Sequence, residues 1–301
     1  MGPTHVEVAD NFSVASNHIE LNGDGIGYLE SYDFSTANLS EESRIACIST
    51  VASVCYGNPK AKGSISLYNR LANESAGLPS SSFEFVPILL PLSKIGTPLI
   101  VTTQKAIVYG YENSLKYGQI VEDSMYLLTN LRALIADVGD KADQFYNTSE
   151  ECAIIARHHR VFKAKIDIAT RTQYIRHRVS WQELSRRYVS GKKSPFEFYV
   201  SPKLDNWDLY VTVGNEDTGT LDYDAGSITK LCVAYYNTAI ANGVKPEEAR
   251  RILPQNMYTT IWSAWMPSQL DSFYTLRLDS HAQSEIRELA AAMKQPHQGN
   301  K

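Results

Sequence analysis

Three groups of polar residues follow one another along this chain and carry the types that bind anions and hold protons. Arg176-His177-Arg178 is followed by Ser185, Arg186, Arg187 and Tyr188. Ala249-Arg250-Arg251-Ile-Leu-Pro254 comes next, and Leu276-Arg277-Leu-Asp-Ser-His281-Ala-Gln283-Ser-Glu-Ile-Arg287 lies near the C-terminal end. Several guanidiniums, a hydroxyl and backbone N–H groups within a short stretch suit a phosphate or another planar anion, because a guanidinium fork matches two oxygens at once. A solvated basic face or an RNA-binding groove uses the same residue types, and Tyr174, Trp181, Phe196 and Tyr199 interleave aromatic surface with the charges.

The charge balance sharpens this. The 301 residues carry 29 basic and 33 acidic side chains, a net charge of −4. Between Arg157 and Lys193, however, eleven basic residues face only Asp167 and Glu183. A chain built throughout to coat nucleic acid or an anionic membrane is excluded, whereas a local anion site is not. With 43% hydrophobic and 10% aromatic residues the chain has enough apolar surface for an ordinary core. Cys47, Cys55, Cys152 and Cys232 include no C-x-x-C pair and read as reduced thiols of a cytoplasmic protein. No apolar run reaches membrane-spanning length, and Met1 to Asn11 lacks the pattern of a secretion signal. His158-His159 and Cys152 lack zinc-ligand spacing, so no metal is expected.

The elements that must position these groups follow from periodicity and capping chemistry. Ser40-Glu-Glu predicts a helix with Ile45, Ile48, Val51 and Val54 on one face, and a short helix is expected around Leu67 to Leu71. Gly77-Leu-Pro-Ser-Ser-Ser-Phe-Glu-Phe85 reads as a turn entering an apolar run. Leu115, Ile120, Leu127, Leu128, Leu131, Leu134 and Ile135 recur at helical spacing over 114–136, which with a second segment at 142–157 predicts a helical pair. Val161 to Ile175 opens with Ala164, Ile166 and Ile168 alternating with Lys163, Lys165 and Asp167, the pattern of a strand with one wet face. Ser180-Trp-Gln-Glu183 has capping-box form and predicts a helix start. Ser227 is expected to cap a helix with Ile228, Leu231, Cys232, Tyr235 and Ala239 on one face, closed by Gly243. Pro246-Glu-Glu starts the next, and Pro254 stops it. A last helix is expected from Asp279 or Ser280, burying Ala282, Ile286, Leu289, Ala290 and Met293 ahead of a disordered tail at about 295–301.

The three motifs in this order resemble the flavin-dependent thymidylate synthase (ThyX) family over roughly residues 161–293. Ser80-Ser-Ser-Phe-Glu84 is a fainter echo of the Ser-Pro-Phe-Glu-His segment that touches FAD in that family, with Ala156-Arg157-His158 as the alternative match. The resemblance implies an α+β fold, a central mostly antiparallel sheet flanked by helices, here as one domain over 1–301 with an insertion at approximately 86–157 containing the helical pair. It implies FAD as cofactor, held by Arg176, His177, Arg178, Gln182, Glu183, Leu276 and His281, with Ser81, Ser82 and Glu84 from the earlier segment. The nucleotide, dUMP or UMP, would meet Gln173, Arg176, Glu183, Ser185, Arg186, Arg187, Arg250 and Arg277. Ser185 and Arg187 would suit its phosphate. Arg277 would be the catalytic residue, a fixed charge that stabilises anion character in the uracil ring and activates carbon-5.

The resemblance further implies NADPH and methylenetetrahydrofolate as co-substrates and a homotetramer whose sites are shared between subunits, with small anions rather than nucleic acid as partners. Conventional thymidylate synthases attack the pyrimidine with a cysteine, and none of the four here has a basic or His-paired local context. The chain departs from the family in a six-residue spacer between Arg178 and Ser185 where the pattern has seven. It also departs at Met266, Ser268 and Ser272, where members carry Asn, Arg and Asn. Such departures suit the branch that methylates uridylate in polyoxin-type nucleoside antibiotic biosynthesis. The reading from another class is a nucleotide- or RNA-binding protein that kept the fold and lost the flavin chemistry.

Overall fold

A computed structural model describes residues 18–21, 27–74, 78–93, 95, 110–200, 209–213, 216–221 and 224–295. The tail expected from Gln295 and the N-terminal segment read above fall almost wholly outside them. The elements run β1 (His18–Leu21), β2 (Gly27–Tyr32), α1 (Glu41–Cys55), α2 (Ile65–Ala72), β3 (Pro87–Pro91), α3 (Glu112–Lys116), β4 (Gln119–Val121), β5 (Tyr126–Asn130) and α4 (Leu131–Val138). They continue as α5 (Ser149–His158), β6 (Arg160–Asp167), α6 (Ile168–Tyr174), β7 (Ser180–Glu183), β8 (Leu209–Val213), β9 (Glu216–Leu221), α7 (Ala225–Ala241), α8 (Pro246–Ala249), β10 (Tyr258–Trp265), α9 (Pro267–Arg277) and α10 (Ser284–Lys294).

The expected α+β architecture is present. A five-stranded sheet has the order β1-β2-β6-β10-β7, with every neighbouring pair antiparallel. Successive side chains of a strand point to opposite faces, so β10 divides its residues between two cores. Trp262 and Ala264 pack with α1, α2 and α4, while Ile261 and Trp265 pack with Tyr174 of α6, Phe273 of α9 and Leu289 of α10. In β6, Ala164 and Ile166 are buried as the alternation predicts, and Lys163 on the wetter face pairs with Glu30 at 2.7 Å.

Five local expectations are corrected. The helical pair expected over 114–136 and 142–157 is not confirmed. Residues 114–136 form the end of α3, the β4–β5 hairpin and α4, and β3, β5 and β4 make a three-stranded antiparallel sheet. Leu127 enters one core and Leu128 another, because β5 is covered on both faces; two adjacent leucines then mimic a helical stripe. Gly118 enforces the break, since a Cβ there would lie 2.4 Å from the carbonyl oxygen of Ser114 and 2.6 Å from that of Leu128. The second segment is helical only from Ser149, where Thr148 and Glu151 form a reciprocal capping box.

The strand beginning near Val161 stops at Asp167, whose carboxylate accepts from the N–H and hydroxyl of Thr170 at 3.0 and 2.7 Å and starts α6. Arg176-His177-Arg178 therefore follows a helix, not a strand. Ser180 to Glu183 is a strand paired with β10, because ladder bonds to a buried neighbour outweigh a local cap. At α7 the cap is Asp224, and α10 begins at Ser284, so Arg277 ends α9 and His281 sits in the turn between two helices.

Candidate functional site

The motif residues gather around β7, the terminal strand of the five-stranded sheet, and the segments on either side of it. Because Glu183 pairs with Ile261 and Gln182 with Trp262, the two carry their side chains to opposite faces. Glu183 meets α6: its Oε2 accepts from Arg171 Nε at 2.9 Å and its Oε1 from the Thr259 hydroxyl at 2.9 Å. On the other face Gln182 Oε1 accepts from the Ser81 hydroxyl at 2.8 Å. The Ser81 segment, remote in sequence, is thus brought to the motif region.

The Glu183 side opens into a cavity of about 400 Å³ that Ser185, Arg186 and Arg250 also line. Three arginines, counting Arg171, face one carboxylate, so the cavity favours an anion. Arg186 is buried, with Nη1 donating to the Ser194 carbonyl at 2.6 Å and its guanidinium 4.6 Å from the Phe196 ring centre. Burial holds its pKa below the ordinary guanidinium value. It works mainly as a clasp for the 186–196 segment and lends the cavity its charge. Arg187 and Arg250 meet at Glu247, the first on its carboxylate at 3.2 Å and the second on its carbonyl at 3.3 Å; both are exposed.

A second cluster stands at the C-terminal end of α6. Arg277 Nε donates to His177 Nε2 at 3.0 Å, and Arg277 Nη2 donates to the Gln173 carbonyl at 3.1 Å. The Gln173 amide in turn bonds Gln283. A histidine that accepts from a guanidinium must be neutral with its proton on Nδ1. Burial first, and the Arg277 charge second, hold the His177 pKa below the usual imidazole value. Two bonds fix the Arg277 fork and leave three N–H groups for a ligand. Arg176 is exposed beside it and helps to lower the Arg277 pKa.

The other expected residues are dispersed. Arg178 is exposed at the entrance to β7, with its carbonyl accepting from Gln269 at 3.1 Å. Leu276 is exposed, and His281 projects outward paired with Asp279 at 2.8 Å. Glu84 is tied to Arg132 at 2.8 Å, and Ser82 is fully buried, its hydroxyl without a partner among the described residues. Among the described residues no group of acid, His and Cys side chains could hold a metal. All four cysteines are free, and burial raises the Cys55 and Cys152 thiols to about 12 and 11, the reverse of an activated nucleophile.

Arg171 and Thr259 were not singled out from the sequence. Arg171 stands within the basic window, but only the α6 to β7 return turns it onto Glu183. Thr259 had no local signal, since β10 has no polar motif. His159 was also passed over: it is buried, and burial depresses its pKa to about 4. The fold therefore favours neutral imidazole. Stability is expected to be fully present above pH 6.5 and to decline as pH falls from 6.5 towards 4, where the unfolded chain binds the additional proton. Urea unfolding at pH 7, 5.5 and 4.5 checks this; His159→Asn is expected to flatten the decline.

A family model described as thymidylate synthase complementing protein matches residues 152–298. That matched segment, just under half of the chain, is similar to flavin-dependent thymidylate synthases. The chain is 33% identical to the flavin-dependent thymidylate synthase of Thermotoga neapolitana over 133 residues, which are 44% of this chain and 58% of that protein. The corresponding Aquifex aeolicus protein is 33% identical over 129 residues, 41% of this chain and 40% of the relative. Against the Pyrococcus furiosus protein the figures are 31% over 141 residues, 45% and 53%. The match thus spans about half the length of these relatives. Both clusters lie inside the matched segment, whereas Ser81, Ser82 and Glu84 lie outside it.

Proposed function

We propose that the chain methylates carbon-5 of a uridine monophosphate nucleotide, dUMP or UMP, with methylenetetrahydrofolate as the one-carbon donor, NADPH as the reductant and FAD as the cofactor. The observation that carries the reading is Arg277, a guanidinium held by His177 and the Gln173 carbonyl with donors to spare. Directed at a uracil carbonyl, it stabilises negative charge developing in the ring and so raises the nucleophilicity of carbon-5. The cavity beside Glu183 suits the phosphate, with Ser185 and Arg250 in its wall.

Neither Gln173 nor Arg277 lines the Glu183 cavity. A site completed by a second copy accounts for this separation and supports the homotetramer. The exposed apolar side chains of α7, Ile228, Leu231 and Tyr235, give such an assembly a surface to bury. Among the described residues no helix is long and apolar enough to cross a membrane, and together with four free thiols this supports a cytoplasmic setting.

The residues present fit a flavin. Ser81 and Gln182 offer a paired hydroxyl and amide on one face of β7, and Arg178 offers at its start an exposed guanidinium with no carboxylate partner among the described residues. When bound, FAD supplies the reducing equivalents that complete the methyl group, which makes a cysteine nucleophile unnecessary. The chain's own part is to orient the nucleotide, to hold a charge against its ring and to keep His177 neutral. The assay is release of the carbon-5 hydrogen from UMP and from dUMP with reduced flavin and methylenetetrahydrofolate. Release from at least one is expected, and release from UMP in excess of dUMP assigns the uridylate branch. Protein that purifies colourless, cannot be loaded with FAD and releases hydrogen from neither favours the nucleotide- or RNA-binding reading.

A further inference from the structure

The turn that joins α1 to α2 encloses a cavity of about 380 Å³. None of its lining residues lines the Glu183 cavity, and all of them precede the matched segment. Its polar lining is Tyr56, Asn58, Ser64, Ser66 and Arg70, with no carboxylate among the lining residues. From Tyr56 to Arg70 the sequence holds three cations, Lys60, Lys62 and Arg70, and no acid. The backbone that shapes the cavity is tied to α1: the Asn58 N–H donates to the Ser53 carbonyl at 3.0 Å and the Gly63 N–H to the Ser49 hydroxyl at 2.7 Å. Gly57 turns the chain with a φ of +52°, and a Cβ there would lie 3.0 Å from the Val189 side chain. The groups around the cavity are thus placed before any ligand arrives, which lowers the ordering cost of binding.

The donors have capacity to spare. The Arg70 guanidinium lies 4.8 Å from the centre of the Tyr56 ring and has no carboxylate partner among the described residues. The same holds for Lys60 and Lys62, which are exposed on either side of the lining residue Ala61. The Asn58 side-chain amide also has no partner among the described residues. Ser64 is 8% exposed; its hydroxyl accepts from the Leu67 N–H at 3.3 Å and lies 3.3 Å from the Ser66 hydroxyl. Two hydroxyls in that arrangement still hold a proton to donate. A guanidinium fork, a hydroxyl pair and an amide approach from different sides, which suits a tetrahedral oxyanion better than a flat carboxylate. Two lysines beyond the fork match the second negative charge of a phosphate monoester at pH 7. The volume exceeds that of a phosphate group and leaves room for the group that carries it, against the Tyr56 ring and Leu67.

We propose that this cavity is a second anion site, which takes a phosphate dianion, free or as the monoester of a small molecule. Arg70 is its main ligand, Asn58 and Ser66 complete the donors, and Lys60 and Lys62 supply the surrounding field. Methylation of a nucleotide requires no such site, so the two readings stand or fall separately. The cavities are close along the chain nonetheless: Cys55, next to Tyr56, accepts at its carbonyl from the Ser185 N–H at 3.2 Å. Because the Glu183 cavity also suits a phosphate, substitutions must tell the two apart.

The test is calorimetric titration of the full-length protein at low salt with ribose 5-phosphate, with inorganic phosphate and with ribose. Arg250→Gln weakens the Glu183 cavity and isolates the site proposed here. In that variant ribose 5-phosphate is expected to bind, ribose not to bind, and the affinity to fall as salt is raised. Adding Arg70→Gln, at an exposed position, is expected to weaken the remaining binding about tenfold or more with the melting temperature unchanged. Changing Lys60 and Lys62 together to Gln is expected to weaken it several-fold. Phosphate that binds as tightly as its ester makes the free ion the ligand, and a tighter ester makes it the monoester. No binding in the Arg250→Gln protein, or binding that Arg70→Gln leaves unchanged, would overturn the proposal, as would tighter Arg70-dependent binding of a short single-stranded RNA. Loss of the Arg250-dependent site alone counts against the nucleotide reading and leaves this one standing.

Discussion

Arg277→Ala is expected to lower carbon-5 methylation on the order of a hundredfold or more while leaving bound flavin unchanged. The guanidinium does two things that alanine cannot: it carries a fixed charge and it is aimed, by His177 Nε2 at 3.0 Å and the Gln173 carbonyl at 3.1 Å. Arg277→Lys separates these. An ammonium keeps the charge but lacks the planar fork that grips two acceptors, so it is expected to recover only a small part of the rate. Single-turnover methylation followed beside flavin absorbance measures both variants. Wild-type turnover in Arg277→Ala would show that another group activates the ring. Truncating His177 is expected to act through aim rather than charge, lowering the rate less than loss of Arg277.

Arg44→Ala is expected to cost about 3–5 kcal/mol of stability, because it removes one partner of a buried charged network and strands the others. Arg44 is 1% exposed. Its Nε donates to Asn38 Oδ1 at 2.6 Å, and its Nη2 donates to the carbonyls of Ala142 and Phe145 at 3.2 and 2.9 Å. The guanidinium also lies 4.3 Å from the centre of the Tyr146 ring. Its bond to Asp143 at 3.0 Å is the least important, because the Asp143 side chain is 76% exposed and water screens the pair. Asp143→Ala should therefore cost under about 1 kcal/mol. Urea midpoints of the two variants test the contrast. Equal losses would show that the ion pair, and not the buried carbonyls, is what Arg44 satisfies. The network matters to the site because α1, which Arg44 anchors, ends at Cys55, and the Cys55 thiol donates to the Glu183 carbonyl at 2.8 Å.

How far the sequence reached depended on the range of the physics involved. Helix α1 was legible because its cap is local: the Ser40 hydroxyl accepts from Ser43 three residues on. The wet-and-dry alternation of Ala164 and Ile166 was legible because these two are buried while Lys163 and Lys165, on the other face of β6, keep partial exposure. The same rules failed where both faces are covered. In β5, Leu127 and Leu128 enter different cores, and a strand without alternation reads as a helix. At Ser180 a correct local rule lost to long-range pairing, since four residues of β7 gain a ladder on β10 worth more than one cap.

The site divides in the same way. The residue types suited to a nucleotide, and their order as Arg-His-Arg, Ser185, Arg250 and Arg277, stand in the sequence and carry the resemblance to the family, because charge and donor count are properties of a side chain wherever it lies. Which of them act together was decided only by the tertiary structure. The turn after α6 sets His177 against the end of α9, making Arg277 a held group, while Arg171 and Thr259, with no local signature, come onto Glu183 through strand pairing. Arg186, legible as a ligand residue, is largely occupied by the carbonyls of its own loop. His159 shows the limit most plainly: as one of two adjacent histidines it signalled nothing, and only packing beneath a cavity makes it a buried neutral imidazole with an atom unpaired. Chemistry belongs to residues and is written locally, whereas burial and partnership arise from contacts between segments that the chain brings together from a hundred residues apart.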